Sequence, residues 1–147
     1  MSDPPTAKDR AMCRAHTIEL RVRYCECDPM GVAHHSAFPI WFEVGRTELL
    51  RARGGNYREL EASGVLLAVV RLEVKYRKPA RYDDLLHLET RLLTAGHVKI
   101  EHEYELRRGR DLLAVGSTTL ACLDRTGQLQ PLPDSLRTPD APKGARP

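Results

Sequence analysis

The stretch Tyr24–Gly55, YCECDPMGVAHHSAFPIWFEVGRTELLRARGG, decides the fold. Its first half holds a tyrosine, an aspartate in a Pro- and Gly-bearing turn (Asp28-Pro29-Met30-Gly31), and the pair His34-His35. Its second half reads as the one long helix of the chain. Ser36 stands at the N-cap position, and Pro39 falls in the first turn, where backbone N–H groups lack partners anyway. Phe38, Trp41, Phe42, Gly45, Leu49 and Ala52 recur at three- and four-residue spacing, with Leu50 widening the stripe. Glu43, Arg46, Glu48, Arg51 and Arg53 fill most of the remaining surface, and Gly54-Gly55 ends the helix. An acid in the loop ahead of a helix start lies beside unpaired N–H groups, which suits attack on a carbonyl.

Outward from this stretch the chain alternates. On the N-terminal side, Ile18, Leu20, Val22 and Tyr24 share one face, and Thr17, Glu19, Arg21 and Arg23 the other, as in a half-buried strand. By this periodicity Tyr24 is a core tyrosine whose hydroxyl needs a partner. On the C-terminal side a short helix, Tyr57–Ala62, precedes four more strands: Leu66–Lys78, Leu85–Leu93, Val98–Arg107 and Leu112–Leu123. Turns at Tyr82-Asp83-Asp84, Ala95-Gly96, Arg108-Gly109-Arg110 and Asp124-Arg125-Thr126-Gly127 separate or follow them. The order β-α-β-β-β-β with hairpin-length turns predicts one antiparallel sheet of about five strands wrapped around one long helix, an α+β fold. Residues 1–15 and 132–147 are polar or rich in Pro, Asp and Arg and are expected as disordered tails around a single domain over 16–131.

The 147 residues fit one domain, with 41% hydrophobic and 29% charged residues as in soluble globular proteins. A net charge of +3 spread among acids gives no reason to expect nucleic acid as a partner. No apolar run approaches the length of a membrane helix, and the first residues carry no apolar leader, so the expected location is cytoplasmic. The four cysteines do not form a disulfide framework in a chain this long. Cys25-x-Cys27 with His34 and His35 offers soft metal ligands, but the spacing matches no zinc pattern, and no metal is expected. There is no Gly-rich phosphate loop and no Gly-x-Ser-x-Gly elbow.

Several of these motifs together resemble a known family. Tyr24-x-x-x-Asp28-x-x-Gly31-x-x-x-His35, followed by Trp41-Phe42-Glu43 and Arg46-Thr47-Glu48, resembles the hotdog-fold acyl-CoA thioesterases of the 4-hydroxybenzoyl-CoA thioesterase/YbgC type. Val74-x-Tyr76-x-x-Pro79-Ala80-x-Tyr82-Asp83-Asp84 and Asp124-Arg125-x-Gly127 extend the likeness over about residues 16–137. Two positions depart from the YbgC pattern: His34 stands where an aromatic is usual, and Pro29 after Asp28 is closer to the 4-hydroxybenzoyl-CoA branch.

The resemblance implies a hotdog fold and hydrolysis of an acyl-CoA to coenzyme A and a carboxylic acid. It implies a homodimer joined edge to edge with active sites at the interface, two such dimers forming a tetramer. Coenzyme A is then part of the substrate, and no cofactor is expected. Asp28 is implied as the catalytic carboxylate, either nucleophile or general base. His35 is implied beside it, with a backbone N–H at or near it polarising the thioester oxygen. Tyr24 either donates to that carboxylate or remains a core tyrosine. Gly31 belongs to the same loop. Glu43, eight residues beyond His35, competes for the carboxylate role or pairs with Arg46 or Arg51. Arg77, Lys78 and Arg81, or Arg107, Arg108 and Arg110, are candidates for the phosphates of coenzyme A. The rival readings are a non-catalytic module that binds acyl-CoA or acyl-carrier protein, and a hotdog dehydratase or hydratase.

Overall fold

The computed structural model describes residues 2–138. Five strands form one antiparallel sheet in the order β1-β3-β4-β5-β2. They are β1 (Ala15–Arg21), β2 (Leu66–Tyr76), β3 (Leu85–Ala95), β4 (Lys99–Arg108) and β5 (Asp111–Leu123). The helices are α1 (Ala7–Ala11), α2 (Ala37–Ala52) and α3 (Tyr57–Ala62). The sheet curls around α2, as the sequence predicts. β3–β4 and β4–β5 pair as consecutive hairpins, whereas β2, despite the turn at 82–84, pairs with β5 rather than with β3, which pairs with β1 instead.

The helix lies on the sheet because two glycines let it. A Cβ on Gly45 would sit 2.7 Å from Leu88 Cδ2, and one on Gly116 of β5 would sit 2.6 Å from Phe42 Cζ. Phe42 is fully buried and stacks on Tyr104 of β4, ring centroids 4.3 Å apart and nearly parallel. Around this pair the first half of α2 forms one core with Val22, Phe38, Trp41, Leu86, Leu88, Leu106 and Leu113. The second half forms another with Leu49, Leu50, Leu92, Ile100, Leu120, Leu132 and Leu136.

Four expectations change. Residues 1–15 are not wholly a tail: α1 carries a capping box between Thr6 and Asp9, and the Arg14 carbonyl accepts from Leu92 N–H. The segment after Leu132 is anchored as far as Thr138. Leu132 and Leu136 are buried, and Thr138 exchanges hydrogen bonds with Ala95 across the open end of the sheet. Sparse apolar residues in a polar stretch hid this anchor; residues 139–147 of the expected tail lie outside the described residues. Arg46, assigned to the polar surface of the helix, is only 8% exposed. Finally, the alternation of Val70, Leu72 and Tyr76 with Arg71, Glu73 and Lys75 predicts a buried face, yet all three are exposed, on an edge strand with a bulge at Val69/Arg71.

Candidate active site

The Asp28 loop is a small hairpin closed by its own backbone. Cys27 bridges Ala33, and Asp28 N–H donates to Val32 O at 2.9 Å. Gly31, at φ +79°, makes the reversal that a side chain would strain, and its N–H returns to Asp28 O at 2.9 Å. Within the turn Asp28 Oδ1 accepts from Met30 N–H at 2.9 Å. The half-buried carboxylate is thus aimed through one oxygen, while Oδ2 accepts nothing among the described residues. Pro29, Met30, Gly31 and His35 leave this side of the chain open to solvent.

Glu26, which the sequence reading passed over, ties the loop to the helix. It is 8% exposed. Its carboxylate accepts from the buried Trp41 Nε1–H at 2.7 Å and from Arg23 N–H at 2.8 Å, with the Arg23 guanidinium at 3.4 Å. Its carbonyl accepts from His34 N–H at 2.7 Å. A buried carboxylate needs such donors, and separate segments supply them. Glu, Trp and spacing alone do not reveal a bond across 15 positions.

Glu26 also explains the correction at Tyr24. Drawing in Arg23 N–H ends the extended alternation, and Tyr24–Glu26 folds into a 3₁₀ turn. Tyr24 is therefore not a core residue of a strand. It is 80% exposed, its ring edge-on to Tyr82 at 5.0 Å.

The helix start follows directly. His34 Nδ1 accepts from Ser36 N–H at 3.2 Å and lies 2.8 Å from Ser36 Oγ. Ala37 N–H donates to His34 O. The rings of His34 and His35 lie side by side, with centroids 4.0 Å apart and planes tilted by 34°. Ser36 is the N-cap residue, but its side chain makes no cap bond. Among the described residues, the N–H groups of His35 and Phe38 have no acceptor. Tyr76 of β2 closes the other side: its ring meets Phe38 edge-on at 4.8 Å, and its hydroxyl donates to His35 O at 2.8 Å.

The basic segment lies against the same hairpin, since Val32 bridges Arg81 and Ala33 N–H donates to Ala80 O. Arg77 and Arg81 are exposed, whereas Lys78 Nζ is 2.9 Å from Asp111 Oδ1. Arg108 is spent on Asp84 at 2.7 Å and on Pro79 O. Burial raises the Asp84 pKa, but the Arg81 N–H, the Arg108 hydrogen bond and both arginine charges outweigh it, so the group stays below the usual carboxylate range. Glu43 is 70% exposed and is the ion-pair partner of Arg46 at 3.5 Å. The structure therefore gathers Asp28, Gly31, His34, His35 and Arg81 around one hairpin, leaves Arg77 beside β5 through its N–H to Leu113 O, and sets Glu43 two turns along the helix.

A second polar group lies at the far half of α2. Arg46, Tyr57, Arg53 and His102 line a small cavity of about 30 Å³ walled by Leu49, Leu50, Leu67, Leu92, Ile100 and Leu136. His102, missed on the inner face of β4, is 5% exposed, and its Nδ1 has no partner. Burial, then the Arg46 and Arg53 charges, push its pKa down to about 3. Burial pushes the Tyr57 hydroxyl up to about 12. Among the described residues, no group of three or more His, Cys, Asp or Glu is arranged to hold a metal ion. Among them, too, no helix is long and apolar enough to cross a membrane.

Residues 22–139 match the family model of the thioesterase-like superfamily. The chain is 32% identical to the putative acyl-CoA thioesterase YneP of Bacillus subtilis over 108 residues, 73% of this chain and 78% of that protein. It is 32% identical to the acyl-CoA thioesterase YbgC of Haemophilus influenzae over 117 residues, 79% of this chain and 85% of that one. Its fold overlays the crystal structure of a DHNA-CoA thioesterase from Staphylococcus aureus with a TM-score of 0.75 at 28% identity, covering 80% of this chain and 79% of that one.

Proposed function

The chain belongs to the thioesterase-like superfamily as a YbgC-like thioester hydrolase with a hotdog fold, and from that premise we propose that Asp28 drives hydrolysis of an acyl-CoA. The observation that carries this reading is the pairing of an aimed carboxylate, one oxygen held by Met30 N–H, with acceptor-free N–H groups at the start of α2.

In the proposed reaction Asp28 Oδ2 takes a proton from water as the water oxygen attacks the thioester carbon. The N–H groups of His35 and Phe38 meet the oxyanion, helped by the positive end of the helix dipole. The C–S bond then breaks, the carboxylic acid forms, and the proton passes to the departing coenzyme A thiolate. In this reading the exposed His35 imidazole orients the water, and Tyr24 and Tyr82, in edge-on contact, border the entrance. Arg77 and Arg81 meet the phosphates of coenzyme A, with Lys78 released to them only if it leaves Asp111. Water and these groups complete the chemistry without a cofactor.

The free edge of β2, with Val69, Val70, Leu72 and Tyr76 exposed, is the proposed seam of a homodimer, and two dimers make a tetramer. The proposed location is the cytoplasm.

The test is free-thiol release from short, long and aromatic acyl-CoAs by wild type and Asp28→Asn, with the elution volume of each. Turnover in the wild type and a loss of about 100-fold or more in Asp28→Asn supports the reading. Turnover that survives moves the carboxylate role to Glu43. Acyl-CoA that binds without being cleaved identifies a binding module instead.

A further inference from the structure

The His35–Ser36 peptide is held from both sides. In a trans peptide the C=O and the N–H point in opposite directions, so the unit rotates freely only if neither end is bound. Here the C=O of His35 accepts from Tyr76 OH at 2.8 Å, and the N–H of Ser36 donates to His34 Nδ1 at 3.2 Å. The two anchors come from different elements, the end of β2 and the hairpin after Asp28. Each is itself fixed. Tyr76 packs its ring against Phe38 of α2, and His34 is bound through its N–H to Glu26 O and through its carbonyl to Ala37 N–H. Locking this one peptide sets ψ of His35 and φ of Ser36. Those two angles set how the first turn of α2, with the Phe38 N–H, lies relative to the preceding peptide, which carries the His35 N–H and whose C=O, that of His34, accepts from Ala37 N–H.

We propose that Tyr76 and His34 are positioning residues that lock the His35–Ser36 peptide and thereby bring the acceptor-free Phe38 N–H of the first turn into line with the His35 N–H, so that both meet the thioester oxygen. This rests on the function proposed above. It also gives His34 a task that an aromatic hydrocarbon ring at this position cannot perform, because the lock needs an acceptor at Nδ1. Accepting from the N–H two residues on is the bond an Asx turn makes, so asparagine is the conservative replacement.

The experiment compares Tyr76→Phe, His34→Phe and His34→Asn. Tyr76→Phe keeps the ring on Phe38 and removes only the hydroxyl. The expected result is a kcat about 10-fold lower in Tyr76→Phe and His34→Phe with KM within about twofold, and a kcat near wild type in His34→Asn. In parallel, hydrogen exchange at the Ser36 amide is followed by NMR, and it should speed up about 10-fold in His34→Phe and be restored in His34→Asn. A wild-type kcat in Tyr76→Phe, or a His34→Asn enzyme as slow as His34→Phe, overturns the proposal. If the wild type cleaves no thioester, the proposed function fails, yet the amide exchange still decides the lock: unchanged exchange in His34→Phe overturns it.

Discussion

The two ends of α2 are surrounded by similar titratable side chains, which the fold puts to opposite uses. Near its start lie a carboxylate, two histidines and a tyrosine hydroxyl, each close to solvent and each but His35 oriented by hydrogen bonds. Near its end lie Arg46, Tyr57 and His102, packed among leucines with His102 buried and its Nδ1 unpartnered. Roughly 20 Å of helix separates the two groups. What differs is access to water. A titratable group that solvent reaches can exchange protons with a substrate, whereas burial holds His102 neutral and Tyr57 protonated, so neither changes state near neutral pH.

Asp28→Asn and Asp28→Ala break this comparison most directly. Either should cost about 100-fold or more in kcat/KM while the melting temperature stays within a few degrees, because the carboxylate touches the loop through one exposed bond. An Asp28 variant that unfolds the protein would make the first half as structural as the second. Glu26→Ala is expected to do both kinds of damage. It leaves Trp41 Nε1–H buried without an acceptor, costing about 2–3 kcal/mol in a urea titration, and it frees the hairpin that carries Asp28. Activity should fall in the variant even under conditions where circular dichroism shows it folded.

His102 supplies the converse. Its folded pKa is depressed to about 3 from an unfolded value near 6.5. The unfolded chain therefore takes up a proton first, and stability is lost as pH falls from 6.5 toward 3. At pH 5 the loss from this one group is roughly 2 kcal/mol. His102→Leu should flatten the fall in stability between pH 7 and pH 5 and leave kcat near wild type at pH 7. A variant whose melting temperature drops as steeply as the wild type's over that interval would show that the cavity does not hold His102 neutral.

The legible parts of this chain are those where one residue type has one physical meaning. Leu86, Leu88 and Leu92, like Ile100, Tyr104 and Leu106, alternate with polar neighbours and are buried, and Gly31 and Gly127 sit in turns at positive φ as their motifs require. The Asp28 hairpin and its resemblance were readable for the same reason. What stayed hidden depends on contacts between distant positions. Glu26 is an ordinary acid in a charged stretch until Trp41 is folded onto it, 15 residues on. Arg46 has the helical phase of a boundary residue, and its burial shows only in the fold, where it shares a cavity with Tyr57, His102 and Leu136. Tyr24 followed the period of β1 by sequence but not in space, since a hydrogen bond to Glu26 ends the strand first.

The smallest expected effect separates the helix ends most finely. Three helices begin with a residue of capping type, and two are capped by it. Thr6 forms a capping box on α1, and Asn56 Oδ1 accepts from Arg58 N–H at 2.7 Å and Glu59 N–H at 3.4 Å on α3. Ser36 occupies the same position on α2, yet its Oγ turns to His34 Nδ1 and caps nothing. Asn56→Ala should therefore cost about 1 kcal/mol and Ser36→Ala less than about 0.5 kcal/mol in the same denaturant titration. The longest helix forgoes a side-chain cap at the end that follows the Asp28 hairpin. In the proposed reaction that is a requirement, because a hydroxyl bonded to those groups would compete with the oxyanion for them. Installing a working cap would sharpen the point: Ser36→Asp should raise stability modestly and lower kcat. Full activity in the Ser36→Asp variant would mean that the oxyanion is met elsewhere.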